Sequence, residues 1–504
     1  MKQPFSITVL AILAAAAGCN APPVERGRAA GEFQSTLARR TDALRIDPAK
    51  PLSVAECETI ALRNNLDLRV RQLALRLQDD NVRIALSGFL PRGQAQYLST
   101  RRSNQSLVDF GGTIIEMEPQ NLQAVSVQAT LPIFDFGTTY YGWRMAADRR
   151  KQETLLSARA AQTLRRDVRV AYARLAGAIR QEKLARIAVE AARQVLAVAK
   201  SMEREGLTAR ADTALVEAAL ARAGLEWSLA GRRVEEGKLA LLSLLSLPPG
   251  MPLAVAEDAP PLPPLPAPEM VAAWEDHALL VRPELAVQDL TRHMAASAVR
   301  QSLAGFFPRV DGLGSFNWSD VATAVNPSYF TFGFDIAHSL LDGGATIFRH
   351  AQAKKNLTVQ EEQALLLSMA VLYEVDFRAL ALFRANDAVL AGEAGVAAQK
   401  TALDRVVSLY KEGLETEANT VKALAELNVQ SFNADMARTE YLVAWHELEA
   451  TVLFDSPLPK DARNGLKTPS PVPFRPSPGL ETFKNTIPRA PVEEKEPAPG
   501  PNHP

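Results

Sequence analysis

The chain has 504 residues, of which 47% are hydrophobic and 22% charged, with a formal net charge of −1. That balance excludes a broad basic surface for nucleic acid. Low aromatic content (6%) with alanine-rich, leucine-rich, charge-laced stretches favours long helices in close contact.

The first segment, 1–19, reads as a targeting signal. Lys2 supplies a positive start, and 7–17 form an apolar core too short to span a bilayer as a mature helix. It ends in Ala16-Ala17-Gly18-Cys19, small residues before a cysteine that resemble a bacterial lipobox. There Cys19 would be freed by cleavage and acylated; ordinary cleavage nearby would discard it. One acyl chain is a marginal anchor, so a second membrane attachment is expected. Residues 20–50 read as a poorly ordered arm. Beyond them Cys57 lies in an apolar helical pattern and reads as a buried structural thiol. After residue 20 no stretch of 18 apolar residues occurs, so any membrane crossing must use strands.

From 51 onward the chain carries one unit twice, over 51–250 and 269–455. GFLPR at 88–92 returns as GFFPR at 305–309, and Asp67-Leu68 as Glu284-Leu285, both 217 residues on. Asp135-Phe136-Gly137 returns as Asp342-Gly343-Gly344, and Glu205-Gly206-Leu207 as Glu412-Gly413-Leu414, both 207 residues on. The offset changes only between Pro91 and Asp135. A loop varies in length where rigid elements do not, so 101–120 reads as a surface loop with a shorter counterpart near 320–327.

Each unit opens with a helix, read as 54–87 in the first copy. Strands flank the loops. Val125, Val127, Ala129, Leu131 and Ile133 alternate with Ser126, Gln128 and Thr130, and the same alternation runs through 309–318 and 330–336. One apolar and one polar face suit a membrane-barrel wall, or a soluble hairpin packed on a core. From 137 to 205 no proline occurs, enough for a helix of about 100 Å. Leu164, Val168, Ala171, Leu175 and Ala178 keep coiled-coil spacing there, answered by Val371, Val375, Arg378, Leu382 and Ala385. Gly206 breaks the helix, and a second one is read from 209 to 247. Two shorter helices end to end match the length of the long one, which suggests a stacked pair beside it. Residues 251–268 form a proline-rich linker, and 456–504 a proline-rich tail without apolar periodicity, read as disordered. The fold class is mainly α with a transmembrane β part.

Two hairpins give four membrane-type strands, and four strands cannot close a barrel. An open edge cannot face lipid, so other copies must complete the wall. At this point the duplicated strand-hairpin and long-helix unit resembles the TolC-type outer-membrane efflux protein family, and the lipobox-like start resembles that of its lipoprotein branch. The carriers are GFLP and GFFP, LPIFDFG at 131–137, HSLLDGG at 338–344, the two EGL triplets, and ALRNNLDL at 61–68 with its echo LVRPEL at 280–285. The resemblance covers about 50–455. It implies a homotrimer with a twelve-stranded β-barrel, an α-helical periplasmic tunnel, and docking to a periplasmic adaptor linked to an inner-membrane pump. It places Gly206, Leu207, Gly413 and Leu414 at the adaptor-contacting tip. Some family members narrow the entrance with two aspartates one turn apart; aligned on Gly413, those positions here are Asn419 and Lys422. Asp212, Glu415 and Glu417 stand beside them, so the entrance is expected to remain acidic and to prefer cations.

No nucleotide, metalloprotease or serine-hydrolase motif occurs, and Asp135-Phe136-Gly137 is a chance kinase-like triplet without its companions. The six histidines show no ligand spacing, so no metal, cofactor or enzyme is read. The expected function is a passive exit duct of an efflux or type I secretion system in the outer membrane. A periplasmic coiled-coil scaffold or adaptor is the rival reading.

Overall fold

The computed structural model describes residues 25–453 except 48–49, 105, 119, 207–208, 257–259, 322–325 and 339–343. The signal with Cys19, Leu207 and the tail beyond 453 lie outside the described residues.

Apart from a two-stranded ribbon inserted in the first copy, the two copies run through the same order of elements. In the first, helices α2 (Val54–Asn64) and α3 (Leu66–Ser87) lead into strand β1 (Arg92–Arg101). A ribbon of β2 (Ser106–Phe110) and β3 (Thr113–Glu118) follows, then β4 (Asn121–Phe134), α4 (Thr138–Arg204) and α5 (Arg210–Leu245). The second has α6 (Val271–Val281), α7 (Pro283–Ala304), β5 (Arg309–Ser319), β6 (Ser328–Ala337), α8 (Ala345–Lys411) and α9 (Glu417–Val452). Both long helices, α4 and α8, contain 67 residues and reach about 100 Å.

Three expectations change. The single helix over 54–87 is broken at Asn65, whose ψ of 126° is not helical. Asn65 caps α3 by accepting from Leu68 N, and its Nδ2 donates to Leu244 O at 2.9 Å. Asn64 Nδ2 donates to Leu245 O and Ser246 O, so both side chains satisfy the carbonyls that end α5. The second copy breaks at the matching place, where Pro283 forces Arg282 out of helical geometry. The expected loop at 101–120 contains the β2–β3 ribbon. Gly111 and Gly112 have positive φ, and Asp109 Oδ1 accepts from Gly112 N at 2.8 Å, a tight hairpin turn. The arm, expected to be poorly ordered, holds helix α1 (Arg26–Leu44), tethered by Arg40 Nη2 donating to Asn64 O at 2.6 Å.

The sheet order is β1-β4-β5-β6, antiparallel throughout. The helices repeat that order below it: α3 and α5 flank one side of α4, α7 and α9 the other, and α8 lies beyond them. Cores form where the short helices wrap the long ones. Leu164, Val168 and Leu175 of the predicted seam are buried with Cys57, Leu241 and Leu245; Val371, Val375 and Leu382 are buried with Trp274 and Leu448. Arg378 departs from that seam by pairing with Glu447. Burial first, then the Glu56 and Glu58 charges, pushes the Cys57 thiol up to about 12, as suits a structural thiol. The linker is irregular but pinned. Tyr172 Oη donates to Leu52 O at 2.9 Å and accepts from Ala256 N, while Tyr441 Oη donates to Pro263 O.

Candidate conduit wall and tip

The strand register sorts side chains into two faces. Along one rung Ala95, Val127, Phe316 and Phe330 stand side by side; along the next face Gln94, Gln128, Ser315 and Thr331 do so. Phe330 and Phe332 are 70% and 81% exposed, which water would not tolerate without a cover. A ten-residue strand spans about 33 Å, or about 24 Å when tilted by 45°, close to the apolar band of a membrane barrel. β1 and β6 pair on one side only among the described residues, so both edges of the sheet are open. With an even number of strands, the outer edges of β1 and β6 run antiparallel. One copy's β6 can therefore extend the ladder of another copy's β1.

At the far end of the long helices lie the two turns. α4 and α9 pack side by side, so both turns point the same way. Gly206 and Gly413 each adopt φ 73°, a left-handed turn that a side chain would strain. Gly413 N donates to Tyr410 O at 3.0 Å and Leu414 N to Leu409 O at 2.9 Å, closing the end of α8. Leu414 is left 70% exposed. Thr416 caps α9 by accepting from Asn419 N, and Asn419 Nδ2 donates to Glu415 Oε1 at 2.6 Å. Asp212 is exposed on the first turn of α5 and Lys422 on the second turn of α9; the Glu417 side chain lies outside the described residues. The structure thus gathers Gly206, Asp212, Gly413, Leu414, Glu415, Asn419 and Lys422 at one end.

The sequence matches the outer membrane efflux protein family over residues 59–246 and 274–452, well over half of the chain and one match for each repeat. The chain belongs to that family. Solved structures agree on the fold. The Campylobacter jejuni CmeC outer membrane channel has a TM-score of 0.69 at 15% identity, over 79% of this chain and 85% of that one. Vibrio cholerae VceC gives 0.66 at 15%, over 79% and 95%. The open state of the Neisseria gonorrhoeae MtrE outer membrane channel gives 0.62 at 20%, over 79% and 88%. No curated protein sequence matches significantly.

The efflux protein also carries surfaces that the motif reading missed. On α3, Leu66, Val70, Leu73, Leu77 and Ile84 are exposed at steps of four, three, four and seven. On α8, Val359, Leu366, Tyr373 and Leu380 are exposed at steps of seven. These are coiled-coil seams without a partner helix among the described residues of the protomer. They lie on the helices next in the chain to the two edge strands, α3 before β1 and α8 after β6. The spacing was visible in the sequence; only the structure separates it from the buried seam of α4. Among the described residues no helix is long and apolar enough to cross a membrane, and no group of metal-ligating side chains forms.

Proposed function

We propose that the efflux protein is one third of a passive exit duct, three copies sharing a twelve-stranded barrel above a helical tunnel. The observation that carries this reading is the open-edged sheet with one lipid-type face. Ten residues of unpaired edge backbone facing lipid would cost several kcal/mol per group, whereas pairing β6 with the next copy's β1 satisfies them. The seams on α3 and α8 then close against each other around the ring. The scaffold reading offers no use for the exposed phenylalanines of β6.

The finer assignments follow from this frame. The leader is removed, Cys19 takes an acyl chain, and the barrel supplies the second membrane attachment. The turns at Gly206-Leu207 and Gly413-Leu414 contact a periplasmic adaptor that connects the duct to an inner-membrane pump. Asp212, Glu415 and Glu417 make the entrance prefer cations, while Asn419 and Lys422 stand where relatives narrow it. Cargo selection is left to the pump.

Crosslinking tests the tip. Leu414→Cys carrying a short photocrosslinker in living cells is expected to capture a periplasmic adaptor, and the same probe at exposed Leu239, up the tube, is not. Equal capture at both sites, or none at the tip, would count against the assignment.

A further inference from the structure

Just below the barrel, α3 and α4 leave a groove of 640 Å³ whose lining includes Gln78, Asn81, Arg92, Thr139, Trp143 and Arg149. The free polar groups of this groove are mostly donors. Trp143 Nε1 is shielded from solvent and has no hydrogen-bond partner. Arg92 and Arg149 are exposed and form no ion pair among the described residues. Gln78 Oε1, an acceptor, is already taken by Asn81 Nδ2 at 3.1 Å. Nearby carboxylates are engaged elsewhere: Asp79 by Arg150, Asp80 by Arg83, and Asp135 by the N–H groups of Gly137 and Thr139.

Arg92 stands on the polar face of β1 with Gln94 and Gln96, the face that the duct reading turns toward the inside of the barrel. The second copy is built differently. Arg309 replaces Arg92 but is neutralised by Asp311 at 2.8 Å, and Asn356 replaces Arg149. The donor-lined groove therefore belongs to the first copy.

We propose that this groove is a binding station for an anionic group, a carboxylate or phosphate borne by cargo in the lumen. Two guanidiniums offer charge-assisted, bidentate hydrogen bonds, and the shielded indole N–H supplies a third donor that an anion's oxygen would satisfy. The assignment rests on the duct reading, because only there is this face a lumen. It puts a cationic station at the exit in series with an acidic entrance.

Single-channel recording of the assembled protein in phosphatidylcholine bilayers tests it, with inorganic phosphate as the probe. Wild type is expected to show a saturable phosphate-dependent fall in current. Arg149→Gln should weaken that block roughly tenfold, as befits the loss of one charge-assisted contact, and Arg149→Lys should restore part of it. Trp143→Phe serves as an independent variant. It should weaken the block while leaving the melting temperature unchanged or raised, because it removes an orphaned donor. Phosphate without effect on wild type, or equal block in all variants, overturns the station. Absence of any wild-type channel would instead overturn the duct reading.

Discussion

Arg282 shows how a single side chain holds the second repeat together. It is buried where α6 gives way to α7, with Nη1 on Glu374 at 2.6 Å and Nη2 on Glu284 at 3.3 Å. Glu284 also receives Arg159 at 2.6 Å. Removing one partner from such a network strands the others, so Arg282→Ala should cost about 3 kcal/mol. Denaturant unfolding of the detergent-solubilised protein measures it, and a loss within error would mean that the pair is screened. Glu275 offers a pH test. Burial first, then the hydrogen-bonded Asp376 and the Asp276 charge, pushes its carboxyl from 4.5 up to about 7. The folded state therefore binds this proton more tightly than the unfolded chain. The contribution to stability is fully present below about pH 4.5 and is lost as pH rises through about 7. Glu275→Gln should accordingly raise the melting temperature at pH 8 and change it little at pH 4.5. A gain of equal size at both values would remove the carboxyl as the cause.

At the scale of elements, the repeat offsets in the sequence located both turns, the proline-free seams the long helices, and period-two alternation three of the four strands of the sheet. What escaped was set by distant partners. The break at Asn65 exists because Asn64 and Asn65 must reach carbonyls of α5 some 180 residues later, and local periodicity runs straight through it. The β2–β3 ribbon was signalled by Gly111-Gly112, but length variation drew the segment toward a loop. At the candidate site the tip residues were found by register, while the donor-lined groove was not, since Arg92 on β1 and Arg149 on α4 are 57 residues apart and line one groove only through tertiary packing. The outer seams carry a prediction of their own. Leu73→Glu places a charge in an apolar α3 seam that this account covers with the next copy's α8. It should shift the particle from three chains toward one in detergent by native mass spectrometry, with helix content unchanged. Retention of three chains would place that seam outside the interface.

For the molecule as a whole, one geometric fact governs the rest: the sheet and the helices beneath it present the same lateral order, with open ends at both margins. In the proposed ring, repetition around an axis covers both margins, which makes the hole a consequence of covering the edges. In the proposed ring the acidic turns stand at one mouth and the arginine-bearing grooves near the other. Conductance of the purified assembly across a planar bilayer tests this most directly. Discrete, long-lived current steps that vanish when the β6 aromatic face is made polar (Phe332→Asn with Phe334→Asn) are the predicted result. A protein that stays monomeric and soluble without detergent, and passes no current, would contradict the account.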